Sequence, residues 1–339
     1  MAGVAGAGRG KHVRMKLVQP HAYTEETPRW LRRFTKLVAA STLLLIFAGA
    51  MVTSTGSGLA VPDWPNSYGW FMFSFPLSKM VGGIFYEHGH RLLASTVGFL
   101  VVIQAIWLQL REPKRFVRRL GWLSLGAVLA QGLLGGLTVI FLLPKAISIS
   151  HAGLAEIFFC LNVAIAFFTS RGYEDLQKHE KGDAPVGMAW GLTALVYAQI
   201  LAGAVMRHLG AGLAIPDFPR SFGRWVPPLN SIDVIAAYVH RAGGFLVAAM
   251  VMAMAVRLLR FDRNHPLRFI AHLLLVVVAA QVLLGGYVIW SGKQPHITSL
   301  HVMNGALTLA LSLILTLTSR TLAWRHSRGG VLVASEVAA

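Results

Sequence analysis

The chain has 339 residues, of which 55% are hydrophobic and 13% charged, and its mean hydropathy is +0.58. Eight apolar runs of about 20 residues match the hydrocarbon thickness of a bilayer, which excludes a large soluble helical protein. The net charge of +17 does not indicate a nucleic-acid-binding tail, because the basic residues recur between the apolar runs rather than in one block. We therefore predict an all-α integral membrane protein.

Eight transmembrane helices are predicted from the apolar runs in chain order. They lie near 37–56, 90–110, 120–143, 147–169, 188–206, 236–258, 269–290 and 297–319. Of the 31 Lys and Arg residues, 23 lie in the termini and in the loops after the second, fourth and sixth spans, whereas 6 lie in the opposite loops. The positive-inside rule then predicts that both termini are cytoplasmic, or in the matrix if the membrane is mitochondrial.

The spans divide into two groups of four that are joined by a polar linker. Because four is an even number, both groups start on the same side, which predicts two four-helix bundles in a parallel pseudo-repeat. The predicted organisation is a basic cytoplasmic tail (1–36), an N-terminal half (37–170), a cytoplasmic linker (171–187), a C-terminal half (188–320) and a second cytoplasmic tail (321–339).

An internal sequence repeat supports this division. The pair His90-Arg91 recurs as His240-Arg241 and His151 recurs as His301, each time 150 residues later. The segment Gln-Gly-Leu-Leu-Gly-Gly at 131–136 likewise returns as Gln-Val-Leu-Leu-Gly-Gly at 281–286. The outer loops repeat as well, since Gly-Leu-Ala-Val-Pro-Asp-Trp-Pro at 58–65 pairs with Gly-Leu-Ala-Ile-Pro-Asp-Phe-Pro at 212–219. Such periodicity indicates a duplicated structural unit.

The repeated histidines are the leading candidates for a cofactor site. All four fall near the start of an even-numbered span, which is predicted to lie at the outer face. Two imidazoles from facing helices of a bundle can hold a haem iron from both sides, whereas a hydrogen-bonded structural histidine is the alternative at each position. The Gly-Gly pairs permit close approach of a macrocycle or of another helix. Arg91 and Arg241 are candidate partners of haem propionates, with a lipid phosphate as the alternative.

Two carboxylates break the symmetry between the halves. Glu87 and Glu156 accompany the first pair of histidines, whereas their counterparts in the second half are Ala237 and Ala306. Buried carboxylates can move protons, so we expect the chemistry in the first half, with Glu87 as the catalytic group and Glu156 as a candidate proton relay. His208, His272 and His296 have no histidine counterpart in the repeat and are interpreted as incidental, with His296 as a minor candidate for the outer site, and His88 is predicted to face away from Glu87 and His90. The single cysteine, Cys160, lies in the fourth span and excludes an intramolecular disulfide.

These motifs together resemble the haem A synthase family over residues 30–320. The resemblance implies an eight-helix membrane enzyme that oxidises a ring methyl of haem O to a formyl group by successive hydroxylations. It also implies that His240 and His301 ligate a haem b cofactor, that His90 and His151 face the substrate haem, and that Glu87 is the catalytic acid or base. Many bacterial members carry a cysteine pair in an outer loop, and this chain lacks it.

The resemblance implies a location and partners too. We expect a multi-pass protein of the inner (cytoplasmic) membrane, or of the mitochondrial inner membrane in a eukaryote, with its haem sites toward the outer face. The expected partners are haem O, a haem O synthase, terminal oxidase assembly factors and an undetermined electron acceptor. Two alternatives stay open: a two-haem b electron-transfer cytochrome with bis-histidine ligation, and a haem carrier. The location of all four histidines near one face disfavours the cytochrome, and the presence of Glu87 in one half disfavours the carrier.

Overall fold

The computed structural model describes the backbone of residues 26–178 and 183–336, and side chains as far as residue 323. The described segments contain nine α-helices, and β-structure in them is limited to isolated bridges. The helices are α1 (Arg29–Ser54), α2 (Gly83–Arg111), α3 (Arg115–Ile140), α4 (Lys145–Phe168), α5 (Arg171–Leu176), α6 (Val186–His208), α7 (Ile232–Leu258), α8 (Pro266–Trp290) and α9 (Pro295–Glu336). All except α5 are long and apolar enough to cross a membrane, which confirms the prediction of eight spans.

Each spanning helix begins two to eight residues before the apolar run that predicted it. The apolar window measures contact with lipid, whereas polar and basic residues can continue the helix beyond it, as Arg29, Arg32 and Lys36 do in α1. Helix α1 therefore starts at Arg29, inside the segment 1–36 that was predicted as a tail, and α5 lies inside the predicted linker 171–187. Because α2 starts at Gly83, His90 lies two turns inside its helix rather than at the end.

The helices pack in two rings of four. In the first half α1 contacts α2, α2 contacts α3, α3 contacts α4, and α4 contacts α1, while α6, α7, α8 and α9 follow the same cyclic order in the second. The two rings meet where α1 and α4 contact α9 and where α4 contacts α6. Phe159 and Val163 of α4 pack there against Ala306, Ala310 and Leu313 of α9. Helix α9 is accordingly the most buried span.

Buried polar side chains join helices inside the bundle. The Asn162 Oδ1 on α4 accepts hydrogen bonds from Gln104 Nε2 on α2 (2.9 Å) and Ser124 Oγ on α3 (3.0 Å). Thr193 on α6 bonds Thr316 on α9 at 2.9 Å. Such bonds and close packing hold helices together in a bilayer, where the surrounding lipid is as apolar as the side chains themselves.

The two long loops, 55–82 and 209–231, which the sequence predicts on the outer side and which are called the outer loops, contain the same hydrogen-bonded turn. The carboxylate of Asp63 accepts the backbone N–H groups of Tyr68 (2.7 Å) and Gly69 (2.8 Å), and that of Asp217 accepts those of Phe222 (2.6 Å) and Gly223 (2.8 Å). Tyr68 and Phe222 have φ angles of 52° and 55°. These values lie in the left-handed region, which residues other than glycine rarely adopt. The aspartates therefore fix an otherwise unfavourable turn.

Candidate functional site

The four repeated histidines lie six to eight residues inside α2, α4, α7 and α9, at the end of the bundle that carries the outer loops. In the second half, the ring centroids of His240 and His301 are 6.2 Å apart and the rings are nearly perpendicular, at 81°. An imidazole nitrogen bonds a transition-metal ion at about 2 Å, so two rings that share one ion have centroids roughly 6 Å apart. In the first half, His90 and His151 are close enough to interact electrostatically.

Each of these histidines packs against a glycine of the preceding spanning helix. A Cβ atom built on the glycine would lie 2.7 to 3.3 Å from Cε1 of the histidine ring. The shortest of these distances is closer than real Cβ atoms approach another heavy atom, and the others are tighter than most real contacts. The four glycine–histidine pairs are Gly49–His90 (3.0 Å), Gly135–His151 (3.3 Å), Gly203–His240 (2.7 Å) and Gly285–His301 (3.2 Å). The missing side chains therefore provide the space in which each ring lies.

The second glycine of each Gly-Gly pair contacts an outer loop. A Cβ on Gly136 would lie 2.6 Å from the Trp64 ring, and a Cβ on Gly286 would lie 3.0 Å from the Phe218 ring. Trp64 and Phe218 are equivalent residues of the repeated loop motif. The sequence left open whether the pairs serve helix packing or a macrocycle. In the structure the first glycine makes room for a histidine, and the second makes room for the loop that covers it.

The hydrogen bonding of the imidazoles is compatible with an iron ligand. The Nδ1 atoms of His90, His151 and His301 are buried and have no hydrogen-bond partner within the described part of the chain. Gln199 Nε2 lies 3.0 Å from His240 Nδ1, and Gln281 Nε2 donates to the His301 carbonyl at 3.0 Å. No cluster of three or more His, Cys, Asp or Glu residues that could hold a bare metal ion occurs among the residues described. The paired imidazoles, with buried ring nitrogens that lack a partner among the described residues and a ring separation that suits one shared iron, fit a haem.

Glu87 lies beside the first histidine pair, where it is 4% exposed and anchors the outer loop. Its Oε1 accepts a hydrogen bond from Arg91 Nη2 at 2.6 Å, and its Oε2 accepts the Val61 backbone N–H at 2.8 Å. Arg91 also donates to the carbonyls of Val61 and Asp63, both at 2.7 Å. The predicted catalytic carboxylate is therefore part of an ion pair that fixes the loop above the site.

The second half has a simpler arrangement at the equivalent place. Ala237, which replaces Glu87, packs in an apolar cluster with Ile215 and Val234. Arg241 donates to the Arg220 carbonyl and to Ser221 Oγ, and its guanidinium lies 5.6 Å from the centre of the Phe218 ring. Both arginines that were proposed to meet propionates thus hold the outer loops in the structure.

Glu156, the second carboxylate found only in the first half, lies deeper in the bundle at the junction of the two rings. It is 3% exposed, and its Oε2 has no hydrogen-bond partner in the described part of the protein. Cys160, one turn further along α4, and Tyr197 of α6 are near enough for electrostatic interaction. The position separates Glu156 from the loop-anchoring network of Glu87.

The sequence does not reveal the contacts that Arg207 and His208 make at the junction near the histidines. Arg207 Nη2 donates to the Ala50 carbonyl (3.0 Å) and to Ser54 Oγ (2.7 Å), which joins α6 to α1. Ser54 also bonds Ser299 of α9 at 3.1 Å. His208, interpreted from the sequence as incidental, lies within electrostatic range of His151. Residues that lie between the halves have no counterpart at the repeat offset, so the repeat gives no sign of them.

Comparison with known proteins gives the family. A family model described as cytochrome oxidase assembly protein, COX15-CtaA, matches residues 71–313, which include all four histidines. The chain belongs to this family. Its relatives include a protein named heme A synthase from Halalkalibacterium halodurans, which is 28% identical over 81% of this chain and 92% of the relative. A protein of the same name from Shouchella clausii is 29% identical over 75% of this chain and 85% of the relative. A third, from Symbiobacterium thermophilum, is 29% identical over 75% of this chain and 84% of the relative.

Proposed function

We propose that this protein is a haem A synthase, a membrane oxidoreductase that oxidises a ring methyl of haem O to a formyl group and so supplies haem A to haem-copper terminal oxidases. Family membership, the names of the relatives and the near-complete coverage of their lengths support this function. The observation that carries it within the structure is the pair of histidine sites, with each imidazole packed against a glycine.

We propose a haem b cofactor in the second half, with His240 and His301 as its axial ligands. The centroid separation of 6.2 Å, together with Ala237 and Ala306 in place of Glu87 and Glu156, supports a permanent site there. The bound haem would supply one-electron redox chemistry. Gln199 and Gln281 hold the helix segments that carry the two ligands, through hydrogen bonds to the His240 and His301 carbonyls.

We assign substrate binding to the first half, where His90 and His151 would hold haem O. Glu87 is the proposed acid or base, and its ion pair with Arg91 orients the carboxylate. Trp64, held by the loop that Glu87 anchors, would limit the entry of water from above. Glu156, whose buried Oε2 has no hydrogen-bond partner among the residues described, is the proposed proton relay deeper in the same half.

The proposed setting is the inner membrane with both histidine pairs toward the outer face. Haem O would be delivered by a haem O synthase, and haem A would pass to terminal oxidase assembly factors. The basic residues concentrated in one set of loops support this orientation, and the parallel arrangement of the halves 37–170 and 188–320 follows from it.

The test is haem extraction after co-expression with a haem O synthase in a host that lacks haem A. Appearance of haem A supports the enzyme, whereas unchanged haem b and haem O would identify a cytochrome or a carrier and overturn the proposal. Substitution of His240 or His301 by Ala should remove the spectrum of the resident haem. Substitution of His90 or His151 should abolish haem A formation while that spectrum stays.

Glu87 needs a test that separates chemistry from loop anchoring. The substitution Glu87→Gln keeps an acceptor for the Val61 N–H but removes the charge, so we expect loss of haem A formation with the resident haem spectrum intact. Asp63→Asn weakens the same loop without touching the proposed acid. If Asp63→Asn abolishes activity as completely as Glu87→Gln, then the role of Glu87 is structural, and full activity of Glu87→Gln would exclude it from catalysis.

A further inference from the structure

A pocket of basic side chains lies at the end of the bundle opposite the histidines, and the proposed function does not use it. It encloses about 190 Å³ between the start of α1 and the end of α4. The lining side chains are Arg29, Arg32, Arg33, Lys36, Ser170 and Arg171. Five of these six residues are cations, so the pocket has the charge of an anion-binding site.

Arg32 is the central residue of the pocket, because its side chain is only 9% exposed. Its Nε donates to the Thr27 carbonyl at 2.7 Å, and its Nη2 donates to Glu174 at 2.9 Å and to Glu26 at 3.3 Å. The remaining nitrogen, Nη1, is buried and has no partner in the described residues. A buried N–H donor without an acceptor lowers the stability of the folded protein. The pocket therefore has room in its hydrogen bonding for one more oxygen acceptor, beside Arg32 Nη1.

The charge balance around the pocket stays positive after these ion pairs are counted. Glu26 and Glu174 both meet Arg32, whereas Arg29, Lys36 and Arg171 are exposed cations. Repulsion between neighbouring cations falls when an anion lies among them. The geometry therefore favours a ligand with several negatively charged or strongly accepting oxygens.

An apolar groove of about 330 Å³ continues from the pocket along the bundle. The groove shares Lys36 and Ser170 with the basic pocket and then runs between α1, α4 and α9. Its other lining residues are Ala39, Val163, Ala166, Phe167 and Ile314. Small side chains at Ala39 and Ala166 create the depression. A groove of this kind on a membrane-spanning surface suits an acyl chain.

We propose that the pocket and groove together bind an anionic phospholipid, with the phosphate beside Arg32 Nη1 and one acyl chain in the groove. A free phosphate would satisfy the cations but would leave the adjoining groove unexplained. The pocket lies at the end that carries most of the basic residues, which the positive-inside rule assigns to the leaflet where anionic lipids attract polybasic segments. The lipid would bridge the first half to α9 of the second.

The experiment uses the full-length, delipidated protein in a mild detergent. It is titrated with dioleoyl phosphatidylglycerol, with dioleoyl phosphatidylcholine, and with inorganic phosphate, and binding is measured by native mass spectrometry and by the unfolding temperature. We expect phosphatidylglycerol to bind and raise the unfolding temperature, and the other two to bind much more weakly. If inorganic phosphate binds and stabilises as well as phosphatidylglycerol, the site is for an ion and the proposal is wrong.

The matched variants test location and specificity. The triple substitution R29Q/K36Q/R171Q should weaken phosphatidylglycerol binding by on the order of tenfold to a hundredfold. Each Lys or Arg near an anionic lipid raises the affinity by a similar factor, so the loss of three of them multiplies. The control R111Q/R115Q/R119Q removes the same charge at the same end of the bundle but outside the pocket, and should bind normally. Equal loss in both triple variants would indicate general surface attraction and overturn the proposal.

A third variant tests the groove. Ala39→Phe fills part of it and leaves every cation in place, so it should weaken phosphatidylglycerol binding while weak phosphate binding stays unchanged. Normal lipid binding by Ala39→Phe would exclude the groove as the acyl-chain site. Arg32 is left intact in all variants because its bonds to Thr27 and Glu174 also support the fold. None of these outcomes depends on haem, so the proposal and the enzymatic function fail independently.

Discussion

At the scale of single residues, the glycines beside the histidines are as informative as the histidines. Gly49 and Gly203 are 154 residues apart, the same offset as the outer loops, and Gly135 and Gly285 follow the 150-residue offset. Each clears the space that one imidazole occupies. The repeat in the sequence predicted the ligands, but only the structure links each ligand to its glycine, because that contact joins two different helices.

The clearest residue-scale prediction concerns Gly203. A Cβ there would lie 2.7 Å from His240 Cε1, so Gly203→Ala should displace the ring, at a cost of about 1–3 kcal/mol typical of overpacking. We expect a reduced haem-to-protein ratio and an altered absorption spectrum in the purified protein. Gly187→Ala in the same helix has open space around its Cβ and is the control. A normal haem content in Gly203→Ala would show that this contact does not position the ligand.

A second residue-scale prediction follows from the turn in the first outer loop. Burial alone would raise the pKa of Asp63, but N–H bonds from Gly69 and Tyr68 and the charge of Arg91 hold it below its ordinary value of 3.8. A lowered pKa means that the ionised carboxylate stabilises the folded loop at neutral pH and that this contribution is lost as pH falls through the lowered pKa. Limited proteolysis of loop 55–82 should therefore accelerate in strong acid, and Asp63→Asn should show the faster cleavage at neutral pH. Identical, pH-independent cleavage of both proteins would contradict this role.

At the scale of helices, the sequence predicted which segments span the membrane but not how the two halves meet. The periodicity of hydrophobic residues is weak in helices that face lipid on one side and apolar neighbours on the other. The junction depends instead on single polar residues such as Arg207, which immediately follows the predicted fifth span 188–206 and therefore counts as a loop residue in the sequence. In the structure its guanidinium lies between helices and bonds both the Ala50 carbonyl and Ser54.

This contact leads to the prediction for the junction. Arg207→Gln should leave the acceptors at Ala50 and Ser54 incompletely bonded and lower stability by about 1–3 kcal/mol, the usual cost of an unsatisfied buried group. The unfolding temperature of the purified protein measures the effect. Arg220→Gln removes the same charge from an exposed position in the outer loop and should leave the temperature unchanged. Equal stability of the two variants would mean that the α1–α6 bond contributes little.

At the scale of the whole molecule, composition and charge distribution predicted the class, the eight spans and the two-part organisation, because a bilayer imposes length and polarity on every helix. The same considerations could not predict the ion pair between Glu87 and Arg91 or the basic pocket around Arg32. Both depend on loops and helix ends that lie far apart in the sequence and become neighbours only when the rings of helices close. The asymmetry at Glu87 and Ala237 was visible in the repeat, but its structural consequence for the outer loop was not.

The orientation of the whole molecule provides the last prediction. A parallel repeat with cytoplasmic termini places Lys79 and Arg224, one in each long loop, on the outer side, and Arg115 and Arg263 on the inner side. The lone Cys160 is half-buried within α4, so single cysteines introduced at these four exposed positions can be labelled against a low background. A membrane-impermeant maleimide should label K79C and R224C in intact spheroplasts, and R115C and R263C only in inverted vesicles. Labelling of K79C and R224C only in inverted vesicles, with R115C and R263C labelled in spheroplasts, would reverse the orientation and place both histidine pairs at the cytoplasmic face.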